Sequence, residues 1–222
     1  MRGINLLAAA GALLFGVATA SAATVNVTVR GPVDFNVIQG SMAGIQPGAP
    51  VVMSFNVDSN VFFNSPSFPT RGYAIDLSSF AMTVGGVNVP IVIPAPSGQP
   101  QYFVLRNNDP AVDGFFISDG NVDFPFPLAV NITGLTPVHE LDFSVGYSNG
   151  TQISSLNILD AVGTYDLSAI GSYNWGIGRF GNHGAEYAYE TITIAVVPEP
   201  ASIGACALVA VVGLASRRRR GI

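Results

Sequence analysis

The chain holds no lysine among its 222 residues; all nine of its basic residues are arginine. It has a single cysteine, Cys206, a single tryptophan, Trp175, and two histidines, His139 and His183. Charged residues make up only 10% of it. Each scarcity excludes something. One cysteine forms no intrachain disulfide and builds no cysteine-based metal centre. The two histidines lie far apart, without the H-x-x-x-H spacing that places two imidazoles on one helix face. Five of the nine arginines sit at the ends of the chain, Arg2 and Arg217 to Arg220. The body, residues 23–197, is left with four arginines against thirteen carboxylates, a charge of −9 that the whole-chain value of −5 hides. Such a body suits neither nucleic acid nor electrostatic docking on anionic lipid. It also lacks any sustained 3.6-residue periodicity with caps; only Ile153 to Leu167 offers room for one short helix.

What the chain has in abundance is apolar sequence at both ends. Met1-Arg2 is a positive start, Leu6 to Val17 an apolar run, and Ala18 to Ala23 a stretch of small residues. This is the three-part pattern of a secretory signal peptide. Ala20-Ser21-Ala22 sets cleavage before Ala23, with cleavage before Ser21 as the alternative, so residues 1–22 are expected to pass through the Sec translocon and be removed by signal peptidase. At the other end Val197-Pro198-Glu199-Pro200 precedes an apolar segment from Ile203 to Ala215, then Ser216 and Arg217, Arg218, Arg219 and Arg220. The segment is short for a span, which usually takes about 20 residues. The arginine block stays on the cytoplasmic side of a membrane. The expected topology is therefore a membrane helix over about 201–216 with everything before Val197 outside the cytoplasm.

The order of triplet, apolar helix and arginine cluster resembles the PEP-CTERM sorting signal of Gram-negative bacteria. The resemblance covers residues 197–222 and nothing else. It implies processing at or near the triplet by an exosortase, a membrane-embedded cysteine transpeptidase, with Pro198, Glu199 and Pro200 as recognition residues and Arg217 to Arg220 as the retention signal. It further implies a cell-surface or extracellular-matrix destination, and exopolysaccharide as a partner. Cys206 lies inside the apolar segment, where a small packing residue is the ordinary role.

The body patterns as β throughout. Val25, Val27 and Val29 alternate with polar residues, as do Val51, Met53, Phe55 and Val57. Phe80 to Val84, Gly85-Gly86 and Val87 to Ile91 predict a hairpin on a two-residue turn that needs positive φ, with Pro90 ending the pairing. Further strands are predicted over Tyr102–Leu105, Phe115–Ile117, Leu128–Ile132, Leu141–Tyr147 and Tyr187–Val196. Many short strands with 25 glycines and 15 prolines predict a single all-β domain over 23–197, a β-sandwich of jelly-roll-like or Ig-like type.

Four constellations carry candidate chemistry. Gly146-Tyr147-Ser148-Asn149-Gly150 fits G-x-S-x-G, and Asp160 or Asp166 and then His183 follow in the order of a hydrolase triad. The surroundings lack α/β alternation, however, and Ser-Asn-Gly after a strand is ordinary turn chemistry. Asp109, Asp113, Asp119 and Asp123 supply oxygen ligands suited to calcium, but Phe124 and Val130 stand where an EF-hand needs glycine and glutamate. Tyr173, Trp175 and Phe180 concentrate aromatics among glycines, as in a platform that stacks on sugar rings, or as a loop packing onto the sheet. Glu140 with Asp142, and Glu186 with Glu190, alternate along strands, which marks a solvent face before it marks a glycosidase pair. The function expected is a structural or binding module without catalytic residues, the alternative being a secreted serine hydrolase.

Overall fold

The computed structural model describes residues 22–109, 112–117, 122–136, 138–179 and 182–198. More than half of them lie in strands: β1 (Thr24–Asn36), β2 (Pro50–Asn64), β3 (Thr70–Val84), β4 (Val87–Asn88), β5 (Tyr102–Arg106), β6 (Asp113–Ile117), β7 (Leu128–Val130), β8 (His139–Tyr147), β9 (Gly163–Tyr165), β10 (Ile170–Arg179), β11 (Asn182–Tyr187) and β12 (Thr191–Val196). One 3-10 turn, Gly40–Met42, is the single helical element among the described residues. Ile153 to Leu167 is not helical. It forms turns and the short strand β9, because its serines and asparagines cap turns instead, as in Asn157 N–H to Ser155 Oγ at 3.0 Å.

All pairings are antiparallel, and the long strands neighbour one another in chain order: β1, β2, β3, β5, β6, β8, β10, β11. β11 then pairs with β1, so the sheet closes on itself. This up-and-down order corrects the expected jelly-roll or Ig topology, whose strands cross between sheets. The closing ladder is long. Val33 to Asn36 pair with β11, and Val25 to Arg30 pair with β12. The bridging residues keep the ladder going, Ala188 N–H donating to the Pro32 carbonyl and Glu190 N–H to that of Arg30. Gly184 to Val197 thus act as one strand laid along the first.

Period-two patterning explains which side faces in. Val25, Val27 and Val29 of β1, Met53, Phe55 and Val57 of β2, Leu141, Phe143 and Val145 of β8 and Ile192 and Ile194 of β12 are all buried in one core. Stacked and edge-on rings cross it, Phe55 to Phe103 at 5.6 Å, Phe103 to Phe115 at 5.6 Å and Phe115 to Tyr165 at 4.9 Å. The interior is filled by side chains, each contributing about 1.5–3 kcal/mol of burial. The expected hairpin is present: Val84 pairs with Val87 across Gly85 and Gly86, whose φ values are +57° and +82°.

Tyrosine hydroxyls pin the loops at one end. Tyr189 donates to the Tyr165 carbonyl at 2.8 Å, Tyr147 donates to that of Asp166 at 3.1 Å, and the two hydroxyls lie 2.8 Å apart. Two hydrogens serve three contacts. Burial raises the pKa of Tyr147 and Tyr189, and of Tyr187 beside Trp175.

Candidate functional site: an aromatic groove on the outer face

After β6 the chain turns back over the outside of the sheet. β6 has Phe115 facing the main core, so Phe116 faces out, and with Val104 of β5 it would meet water. Phe124 covers both, its ring 6.0 Å from that of Phe116, 5.5 Å from Tyr102 and 5.7 Å from Phe63. The contact needs glycine beneath it, since a Cβ at Gly72 would lie 2.4 Å from the Phe124 ring. Asp123 ties the same loop to the β2–β3 turn by accepting a hydrogen bond from the Ser65 hydroxyl.

Beside Phe124 lies a cleft of about 180 Å³ walled by Phe63, Tyr102 and Phe126, with Pro100 and Pro125 between them and Asp123 and Gln99 as polar groups. A second cavity, about 240 Å³, adjoins it across Phe126 and is lined by Ser97, Gln101, His139 and Glu140. Gln101 is buried; its Nε2 donates to Ser97 Oγ at 3.1 Å and to the Gln99 carbonyl at 2.9 Å, while its Oε1 has no partner. The two cavities meet at Phe126 as one groove, ring-walled at one end and mostly apolar at the other too, where Pro96, Pro127, Ala129 and Val138 stand among the polar groups. Ring faces take apolar C–H surfaces; amide, hydroxyl and carboxylate groups take hydroxyls.

The residues singled out in the sequence are placed otherwise. Trp175 is 2% exposed and sits in the core against Phe143 and Tyr187, so it presents no platform. The segment forms β10 because Trp175 and Ile177 alternate inward. Tyr173 is 47% exposed and borders a separate cavity of about 210 Å³ with Asp34, Asn174 and Glu186; Phe180 lies outside the described residues.

The carboxylates named for calcium do not converge either. Asp113 shares its parity with inward Phe115 and is fully buried, accepting from the N–H groups of Asn108, Gln152 and Ile153 at 3.0, 2.7 and 2.8 Å. Asp123 lies on the loop over the opposite face of the sheet, and Asp109 pairs with Arg106 at 3.5 Å. Asp119 lies outside the described residues. Among those described, no three His, Cys, Asp or Glu side chains gather as a metal site.

The triad is not assembled. Ser148 follows Tyr147, which pairs with Ile170, and its hydroxyl donates to the Ala169 carbonyl at 3.0 Å. His183 pairs with Gly178, itself opposite Glu140 at the far end of β8. Eight residues along the strand separate the two levels, roughly 26 Å. Asp160 accepts from Ser155, and hydrogen bonds from Ser168 hold Asp166 below the usual carboxylate range. No serine-to-histidine proton transfer spans that distance.

Of the sorting signal, Pro198 is described; Glu199, Pro200 and Arg217 to Arg220, like the signal peptide to residue 21, lie outside the described residues. Sequence reasoning missed Phe63, Tyr102, Phe124 and Phe126. Their signal was present in Val61-Phe62-Phe63, which breaks strand alternation, and in Phe124-Pro125-Phe126-Pro127, aromatic residues where a loop is normally polar. Compared with protein-family models, with curated proteins and with solved structures, the chain matches none.

Proposed function

We propose that this chain is an exported binding module, held at the cytoplasmic membrane by its tail for exosortase processing and bound for the cell surface or matrix. Its outer groove takes an extended neutral polysaccharide. We further take the closed sheet as sandwich-like, two walls meeting in one core, a rigid mount for that groove. The observation that carries the reading is the set of rings Phe63, Tyr102, Phe124 and Phe126 around one open cleft with a carboxylate at its rim. Rings stack on sugar faces, while Asp123, Gln99 and Glu140 accept sugar hydroxyls. The −9 body opposes anionic polymers, hence the choice of a neutral one.

The test is affinity electrophoresis through gels holding neutral or acidic polysaccharides, including that of the native host. Neutral polymer should retard the protein, and Phe126→Ala or Tyr102→Ala should release it at least tenfold in affinity with an unchanged circular dichroism spectrum. Equal mobility in every gel overturns the carbohydrate assignment. Intact-mass measurement of the exported protein tests the tail: a mass ending near Pro198 to Pro200 supports processing, and retained Arg217 to Arg220 defeats it.

A further inference from the structure

The β2–β3 hairpin runs past the end of the closed sheet at which the last strand finishes. Thr24 pairs with Asp58, and the Val197 N–H donates to the Thr24 carbonyl at 2.8 Å, so Val197 lies level with Asp58. Val57 pairs with Ile75, one rung above; Asn64 pairs with Arg71, four residues further along β3. The hairpin's last paired rung therefore stands three residues, roughly 10 Å, beyond the level of Val197. The turn 65–69 extends it further. Sequence alone sets the tether: Val197 to Ile203, where the apolar segment starts, reaches at most about 20 Å.

This overhang exposes apolar side chains on both faces, with Asn60, Asn64 and Ser67 also exposed among them. Val61 and Phe62 are 53% and 43% exposed although neighbours on a strand point to opposite sides, and Phe68 in the turn is 41% exposed, while Phe63 packs toward the groove against Tyr102 and Phe124. The turn is braced, Ser65 Oγ accepting from the N–H groups of Ser67 and Phe68 at 3.1 and 2.9 Å. The Arg71 guanidinium lies 4.2 Å over the Phe62 ring. A protein surface covers one face of a strand. A medium that surrounds the tip covers both, and the boundary between acyl chains and headgroups accepts phenylalanine with an arginine at headgroup level.

We infer that the β2–β3 tip inserts into the periplasmic leaflet of the membrane the tail enters, a second attachment that fixes how the domain stands on the bilayer; this rests on the tail reading above. Insertion is apolar, so it needs no anionic lipid and resists salt.

The test uses the chain with its tail, reconstituted into phosphatidylcholine vesicles carrying bromine near the top of the acyl chains. Phe68→Trp adds an indole at the tip. Val37→Trp adds one at the opposite end, where Val37 is 59% exposed, and Trp175 is buried in both. In floated vesicles the Phe68→Trp emission, less that of Trp175 in the unsubstituted chain, should fall to half or less of its value in unbrominated lipid, in low and high salt alike, with the corresponding Val37→Trp emission unchanged. Equal emission from the two variants in floated vesicles overturns the tip insertion while leaving the tail intact. Failure to float overturns the tail reading, and the insertion with it.

Discussion

Asp113 is the residue whose loss the fold should feel most. Its carboxylate is fully buried and accepts three backbone N–H groups, from Asn108 on one side and from Gln152 and Ile153 on the other, which it holds to the end of β6. Asp113→Asn keeps the shape and removes one acceptor. With the amide oxygen at the Oδ2 position, the bonds to Gln152 and Ile153 survive without charge assistance, and the amide nitrogen faces the Asn108 N–H, donor against donor. A hydrogen bond to a charged acceptor is worth about 1.5–3 kcal/mol, and a buried unsatisfied N–H costs about 1–3 kcal/mol. The expected loss is roughly 3–5 kcal/mol, a large share of the 5–15 kcal/mol typical of a domain. Urea unfolding followed by Trp175 fluorescence, with calcium and with chelator, reads it directly. At about 1–3 kcal/mol per molar, the midpoint should drop by more than 1 M under both conditions. A midpoint within about 0.2 M of wild type, or a drop confined to calcium, refutes the reasoning.

Three further outcomes are expected. Above pH 10 the unfolded chain loses tyrosine protons that buried Tyr187 and Tyr189 retain when folded; both folded pKa values are raised, so stability is intact below pH 10 and falls above it. The slope is about 1.4 kcal/mol per pH unit for each such tyrosine, checked by urea midpoints between pH 9 and 11.5. Phe124→Ala uncovers Val104 and Phe116 and should cost about 3–4 kcal/mol in the same assay, whereas Gly72→Ala should displace the Phe124 ring and weaken polysaccharide retardation with a smaller loss of stability. Ser148→Ala removes an exposed hydroxyl bond to Ala169 while the backbone bond between the same residues stays; stability should change by under about 1 kcal/mol, and hydrolysis of a chromogenic ester not at all.

Strands with one wet face were legible because alternation reports burial on one side: Val25, Val27 and Val29 of β1 and Val51 to Val57 of β2 are the examples. The Gly85-Gly86 turn was legible because its φ values demand that residue type. β10 was not, since glycines at 171, 176 and 178 dilute the pattern that Trp175 and Ile177 carry. Closure was invisible as well, because the pairing of Val33 with Tyr187 joins residues far apart in the chain. The groove escaped for a related reason. Its rings come from β2, β5 and the loop after β6, and only the return of that loop across Gly72 brings them together.

The closing ladder has a mechanical consequence. A load applied through Val197 pulls β12 along its own axis, against the six residue pairs that join it to β1 and the further pairs of β11. Hydrogen bonds that lie perpendicular to the pull are strained together and do not open one at a time. The domain therefore resists tension best along the axis of β1 and β12, and a load that peels β9 sideways from β12 meets only three pairs.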